Sequence, residues 1–205
     1  NRIQIRELSK IKNSNLIVDM SSDIGSYKQN FKNIDYIYAG AQKNLGIPGV
    51  TLCIIKKDFL IENNNPAYLN LKVLNDKKSI LNTPSTFSIF IFDLVLQWMV
   101  EMGGIDYFEK KSINQSSLIY DYLDSRNDVF TVLDKSEFRS RSNITYNFKN
   151  QEHTKNFLEY TKENGIIGIN GHRSVGGIRI SLYNSITDEM VSCLLDHIEK
   201  FLRKV

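Results

Sequence analysis

Tyr38-Ala39-Gly40-Ala41-Gln42-Lys43-Asn44 closes an apolar run and leads into Leu45-Gly46-Ile47-Pro48-Gly49. An apolar segment that ends on a glycine-bearing loop reads as a buried strand delivered to the edge of a sheet. The lysine at that edge is flanked by Tyr, Ala and Gly instead of other charges. Partial desolvation there disfavours the ammonium form and leaves an amine able to attack a carbonyl, which is the requirement for a Schiff base. The same heptad also reads as a strand end carrying a surface lysine.

Working upstream, Asn15-Leu16-Ile17-Val18-Asp19-Met20-Ser21-Ser22 is a second short apolar run. Its Asp19 lies 24 residues before Lys43, a spacing that fits two strands and their connection. Ligands of open α/β sheets sit beyond the carboxyl ends of the strands, so both side chains can reach one crevice. A carboxylate opposite a pyridinium nitrogen is what a pyridoxal-phosphate enzyme needs to keep its cofactor an electron sink. Asp19 followed by Ser21 and Ser22 also fits an ordinary turn.

Downstream, Asn82-Thr83-Pro84 reads as a helix start, with Thr83 as N-cap and Pro84 as first helical residue. The unpaired amides of such a first turn suit a phosphate, although an ordinary helix start explains the same residues. His172, Arg173 and Arg179 are the polar groups of a glycine-rich stretch, Gly168 through Gly177, and the strand after it. Arginine forks match carboxylate and phosphate. A salt bridge for Arg179 and a hydrogen-bonded core position for His172 are the alternatives.

Four motifs agree in order and spacing: Val18-Asp19-Met20-Ser21-Ser22-Asp23-Ile24; Tyr38 to Asn44; Asn82-Thr83-Pro84; and Gly171-His172-Arg173-Ser174-Val175-Gly176-Gly177-Ile178-Arg179 followed by Ser181-Leu182-Tyr183-Asn184. Together they resemble the phosphoserine aminotransferases, class V pyridoxal-phosphate enzymes of fold-type I. The resemblance implies an α/β fold. Residues 1–102 would be the C-terminal part of the large cofactor-binding domain, with a mixed, mostly parallel sheet, and residues 103–205 a small α+β C-terminal domain.

It also implies the chemistry. Lys43 would carry pyridoxal 5'-phosphate as a Schiff base and, with a lowered pKa, shuttle the substrate α-proton. Asp19 would keep the ring nitrogen protonated, and Ser21 and Gln42 would bind the cofactor phosphate. Asn82 and Thr83 would reach the cofactor phosphate of the other subunit of a homodimer with shared sites. Arg179 would hold the substrate α-carboxylate, and His172 with Arg173 its phosphate. The implied reaction is amino transfer between glutamate and 3-phosphohydroxypyruvate, giving phosphoserine and 2-oxoglutarate for serine biosynthesis. A phosphorylated hydroxythreonine-type acceptor on the pyridoxine route presents the same two anions. Another class V aminotransferase would leave the His172-Arg173 pair without an anion. The segment Asn1–Glu7 resembles a strand from the middle of the large domain, so the glycine-rich phosphate loop and the ring-stacking aromatic are expected upstream, and a non-catalytic fragment is the alternative reading.

Composition agrees with a cytoplasmic globular protein, at 41% hydrophobic and 24% charged residues with a net charge of +3. No apolar run is long enough to span a bilayer. The longest, Phe87 to Val100, carries Asp93 and Gln97 four apart, which predicts one polar stripe on an otherwise buried core or interface helix. The lysines are scattered, giving no argument for nucleic acid. Cys53 and Cys193, in apolar surroundings without metal-ligand spacing, read as reduced core residues. His153 and His197 sit in polar helical contexts and carry no functional reading, and Arg139 and Arg141 read as solvated or structural. Strands are expected near Ile3–Arg6, Leu16–Met20, Ile34–Ala39, Val50–Ile55, Val129–Leu133, Asn143–Phe148, Ile166–Ile169 and Gly177–Leu182. Helices are expected from Pro84 and over about Ile105–Ser125, Glu152–Asn164 and Thr187–Arg203, with a break at Gly103-Gly104.

Overall fold

A computed structural model describes residues 4–11, 15–132, 137–172 and 176–205. The chain divides into two compact units: Glu7–Gly104, and the described residues of Asn1–Arg6 together with Ile105–Val205.

In the Glu7–Gly104 unit, β1 (Ile17–Asp19), β2 (Tyr36–Gly40) and β3 (Thr51–Ile55) form a mixed sheet in that order. β1 runs parallel to β2, with Asp19 beside Tyr38. β3 returns antiparallel, Gly40 facing Thr51. Met20, Ile24, Ile37, Ala39, Ala41 and Leu45 are buried, so the core lies behind the turns that follow β1 and β2. A short helix α1 (Leu71–Asp76) follows, which the polar Asn63–Pro66 stretch had not announced. Its cap is the buried Asn70, whose side chain accepts from the amides of Lys72 and Val73.

The long helix α2 (Thr86–Glu101) begins two residues later than expected: its N-cap is Ser85, not Thr83. The reason is a serine pair. Ser85 and Ser88 hydroxyls lie 2.8 Å apart, and Ser88 donates to the Pro48 carbonyl at 2.9 Å, which fixes the first turn against the Pro48-Gly49 loop. Asp93 and Gln97 do form a polar stripe, hydrogen-bonded at 2.6 Å. The rest of α2 is not uniformly buried in this chain, however, because Phe87 and Val100 are 65% and 74% exposed. No single helix among the described residues is long and apolar enough to cross a membrane.

The second unit contains α3 (Gly104–Ser125), β4 (Phe130–Val132), β5 (Asn143–Phe148), α4 (Gln151–Glu163), β6 (Ile178–Ser181) and α5 (Asp188–Leu202). The three strands form one antiparallel sheet in the order β4-β5-β6. Alternation along β5 sends Ile144, Tyr146 and Phe148 into a core completed by Ile119 and Leu123 of α3, Phe157 of α4, and Ile198 and Phe201 of α5. Thr145 and Asn147 face the other way. Thr187 caps α5 by accepting from the Met190 amide.

Three expectations fail here for physical reasons. Gln4–Arg6 is not a strand; it is tied to the 137–141 segment, with the Gln4 amide on the Phe138 carbonyl and the Arg6 guanidinium on the Glu137 and Arg139 carbonyls. Ile3 lies outside the described residues. Ile166–Ile169 is no strand either, because Gly165 and Gly168 adopt φ of +79° and +80°, and only a single bridge, Asn170 to Ile178, survives. Cys53 and Cys193 are exposed free thiols instead of core residues. Cys193 falls on the outward side of α5, whose inward positions are Val191, Leu194 and Ile198. Arg139 is structural, clamping Asp124 with bonds of 2.7 and 2.9 Å, and His197 Nδ1 meets the Tyr160 hydroxyl at 3.1 Å.

Candidate active site

Parallel pairing of β1 and β2 brings their carboxyl ends to the same edge, and the residues beyond those ends meet there. After β2 the chain makes one turn, closed by the Leu45 amide on the Ala41 carbonyl at 3.0 Å, and the half-buried Lys43 rides on it. The turn is tied down from its far side. Asn44 is buried and its Nδ2 donates to the Ile24 carbonyl at 2.9 Å, joining the lysine segment to the turn that follows β1.

Asp19 stands at the exposed end of β1. The Ser21 amide donates to its Oδ1 at 2.8 Å, while Ser21 Oγ accepts from the Gly40 amide at 3.0 Å, so one serine laces the two strand ends together. Burial works to raise the Asp19 carboxyl. The opposing effects are stronger: hydrogen bonds from the Ser21 hydroxyl and amide, the Lys43 charge and the Tyr38 hydroxyl together hold it below the ordinary carboxylate value. Asp19, Ser21 and Lys43 therefore form one electrostatic cluster. Gln42 is exposed, and its carboxamide folds over Gly40 into the space a Cβ there would need. A Cβ at Gly40 would meet only the movable end of this exposed side chain, and the backbone angles there do not call for glycine.

Asn82 and Thr83 are exposed ahead of α2, and no hydrogen bond or ion pair links them to Asp19 or Lys43 among the described residues; Asn82 Nδ2 reaches only the Thr83 carbonyl, at 3.5 Å. His172 is exposed in the second unit, its carbonyl accepting from the Gly176 amide at 2.8 Å. Arg173 lies outside the described residues. Arg179 sits in β6 opposite Thr145, on the face away from the core. Its Nε is buried without a hydrogen-bond partner among the described residues. Such an arginine leaves a donor to be satisfied by an incoming anion.

Two contributors escaped sequence reasoning. Tyr38 belongs to the heptad but had no role beyond apolar flank; its register partner Asp19 gives it one. Asn44 is the other, and the available signal was a polar amide wedged between Lys43 and the apolar Leu45.

The class-V aminotransferase family model matches residues 3–194. The chain belongs to the class-V aminotransferases. The phosphoserine aminotransferase of Halalkalibacterium halodurans is 43% identical over 188 residues, which is 91% of this chain and 52% of that protein. A solved structure of phosphoserine aminotransferase, describing radiation damage of its Schiff base, superposes with a TM-score of 0.94 at 38% identity, covering 99% of this chain and 57% of the other. The pyridoxal-phosphate-bound phosphoserine aminotransferase of Trichomonas vaginalis does so with a TM-score of 0.87 at 28% identity, covering 97% and 58%. This class-V aminotransferase chain spans about half the length of the relatives it matches.

Proposed function

We propose that this chain carries out amino transfer between glutamate and 3-phosphohydroxypyruvate, giving O-phosphoserine and 2-oxoglutarate, as part of a cytoplasmic, homodimeric phosphoserine aminotransferase. The observation that carries the reading is the approach of Lys43 to Asp19 at the common carboxyl edge of β1 and β2. The donor set fits pyridoxal phosphate: a primary amine for its aldehyde, a carboxylate held ionised for its ring nitrogen, and the polar side chains of Ser21 and Gln42 nearby for its phosphate. When bound, that cofactor supplies the electron sink for charge developing at the substrate α-carbon.

The chain's own residues do the rest. Lys43 Nζ would take the proton from the substrate α-carbon as general base and, as general acid, deliver it to the cofactor's aldehyde carbon. Asp19 keeps its negative charge because its hydrogen bonds outweigh its burial, so it holds a proton on the group facing it. Arg179, with its unpartnered Nε, takes the substrate carboxylate. His172 and Arg173 take the phosphate, and Asn82 and Thr83 serve the cofactor phosphate of a second copy. Residues 1–102 then act as part of a large cofactor-binding domain and 103–205 as a small domain.

The test is turnover by the encoded full-length protein. Phosphoserine should form from glutamate and 3-phosphohydroxypyruvate, and Arg173→Ala should weaken the phosphorylated acceptor far more than hydroxypyruvate. Equal losses for both acceptors would remove the phosphate role.

A further inference from the structure

The glycine-rich segment that separates β6 from the preceding helix has a narrow neck. The Gly171 amide donates to the Gly177 carbonyl and the Gly176 amide to the His172 carbonyl, both at 2.8 Å. Gly176 and Gly177 take φ of +69° and +78° in succession, and a Cβ on Gly171 would run into the carbonyls of both. The two sides of the neck are therefore in backbone contact. What supports it from the sheet is a side chain of β5. Tyr146 pairs with Ile178, so Asn147 stands beside Gly177, on the face away from the core. The Asn147 carboxamide occupies the space that a Cβ at position 177 would need. Its Oδ1 is buried and has no hydrogen-bond partner among the described residues. On its other flank Asn147 pairs with Thr131, which lines the same polar cavity of about 480 Å³ as Asn147 and Gly177.

A buried amide oxygen left unpaired is costly, so a side chain kept in this position needs a reason beyond filling space. We propose that Asn147 is a positioning residue for the neck made by Gly171, His172, Gly176 and Gly177: its carboxamide, wedged against Gly177, sets how the chain enters β6 and hence how His172 is presented. The inference rests on the reading of His172 and Arg173 as the phosphate end of the substrate site. It adds a residue that touches neither substrate nor cofactor. Arg179, two positions beyond Gly177 in β6, is held by the ladder to Thr145 and by the hydrogen bond its backbone amide donates to the Ile169 carbonyl. Loosening the neck therefore separates the phosphate end of the site from its carboxylate end.

The experiment has two arms. In the full-length enzyme, Asn147→Ala should raise KM for 3-phosphohydroxypyruvate about tenfold with kcat and the KM for hydroxypyruvate within about twofold, whereas Thr131→Ala should leave all three in place. In the same full-length protein, the Asn147→Ala change should speed amide exchange at Gly171 and Gly176, the two donors that close the neck, about tenfold and leave Ile144 and Tyr146 unchanged. Equal losses for both acceptors, or unchanged exchange at the two glycines, would overturn the assignment. If Arg173→Ala has no selective effect while exchange at the glycines still accelerates, the phosphate reading fails and the positioning of the neck by Asn147 stands.

Discussion

At the residue scale the candidate chemistry depends on which lysine is reachable and which carboxylate stays charged. Lys56 is committed to Asp35 at 2.9 Å, and Lys57 is exposed at the far end of β3, whereas Lys43 rides on the turn beside Asp19. Borohydride reduction of the cofactor-loaded protein followed by peptide mapping is therefore expected to leave the pyridoxyl group on Lys43; finding it on Lys56 or Lys57 would displace the site. Asp19 makes a pH prediction. Its carboxyl is held below its ordinary value in the folded protein, so the folded state binds its proton less readily than the unfolded chain. The stabilisation is thus present above the unfolded carboxylate value of about 4 and is lost as pH falls through the lower folded value. Asp19→Asn should flatten this acid limb in denaturant titrations between about pH 5 and pH 2. A third residue points the opposite way. Tyr146 is fully buried and its hydroxyl has no hydrogen-bond partner among the described residues, so Tyr146→Phe should raise stability by about 1 kcal/mol, or at worst leave it level, in urea unfolding.

At the element scale, the first-unit strands and the long helices were legible because their signals are local. Ile37 and Ala39 alternate with half-buried neighbours in β2, and Thr187 announces α5 as a cap ahead of an apolar 3.6-residue period. What was not legible depended on partners distant in sequence. The run Ile166-Ile167-Gly168-Ile169 has strand composition, yet two glycines in left-handed conformations break it and leave Ile167 78% exposed. The start of α2 moved because Ser88 found a carbonyl 40 residues away. In the candidate site, the electrostatic influence of Lys43 on Asp19 follows from strand ends and spacing, whereas the hydrogen bond that puts Ser21 on Gly40 was not legible. The caps give a direct check. Thr187→Ala should cost about 1 kcal/mol of stability, read as a shift in denaturant midpoint without a change in slope.

At the scale of the whole molecule, α2 is apolar on nearly every side, with Phe87, Phe90, Leu94 and Val100 all exposed. A helix of that character is stable in water only when it is covered on more than one face. The chain by itself is expected to self-associate, and sedimentation velocity should show species heavier than one copy that Phe90→Lys with Val100→Lys dissolves toward monomer. An unchanged distribution would mean that α2 is not the surface responsible.

The order of strands in the first sheet also bears on how the site assembles in time. β2 and β3 are antiparallel neighbours joined only by residues 41–50, so their pairing closes a short loop, an event of microseconds in hairpins. That loop contains Lys43. The parallel ladder to β1 must wait for a longer excursion, residues 20–35, to return on itself, and loop closure becomes slower as the intervening chain lengthens. The amine is thus presented by contacts made early and nearby, and the carboxylate reaches it only when the crossover docks. A chain arrested between these two steps would carry the lysine turn without its Asn44–Ile24 tie and with no counter-charge beside it, so substitutions in 20–35 should delay the arrival of Asp19 without slowing the pairing of β2 with β3.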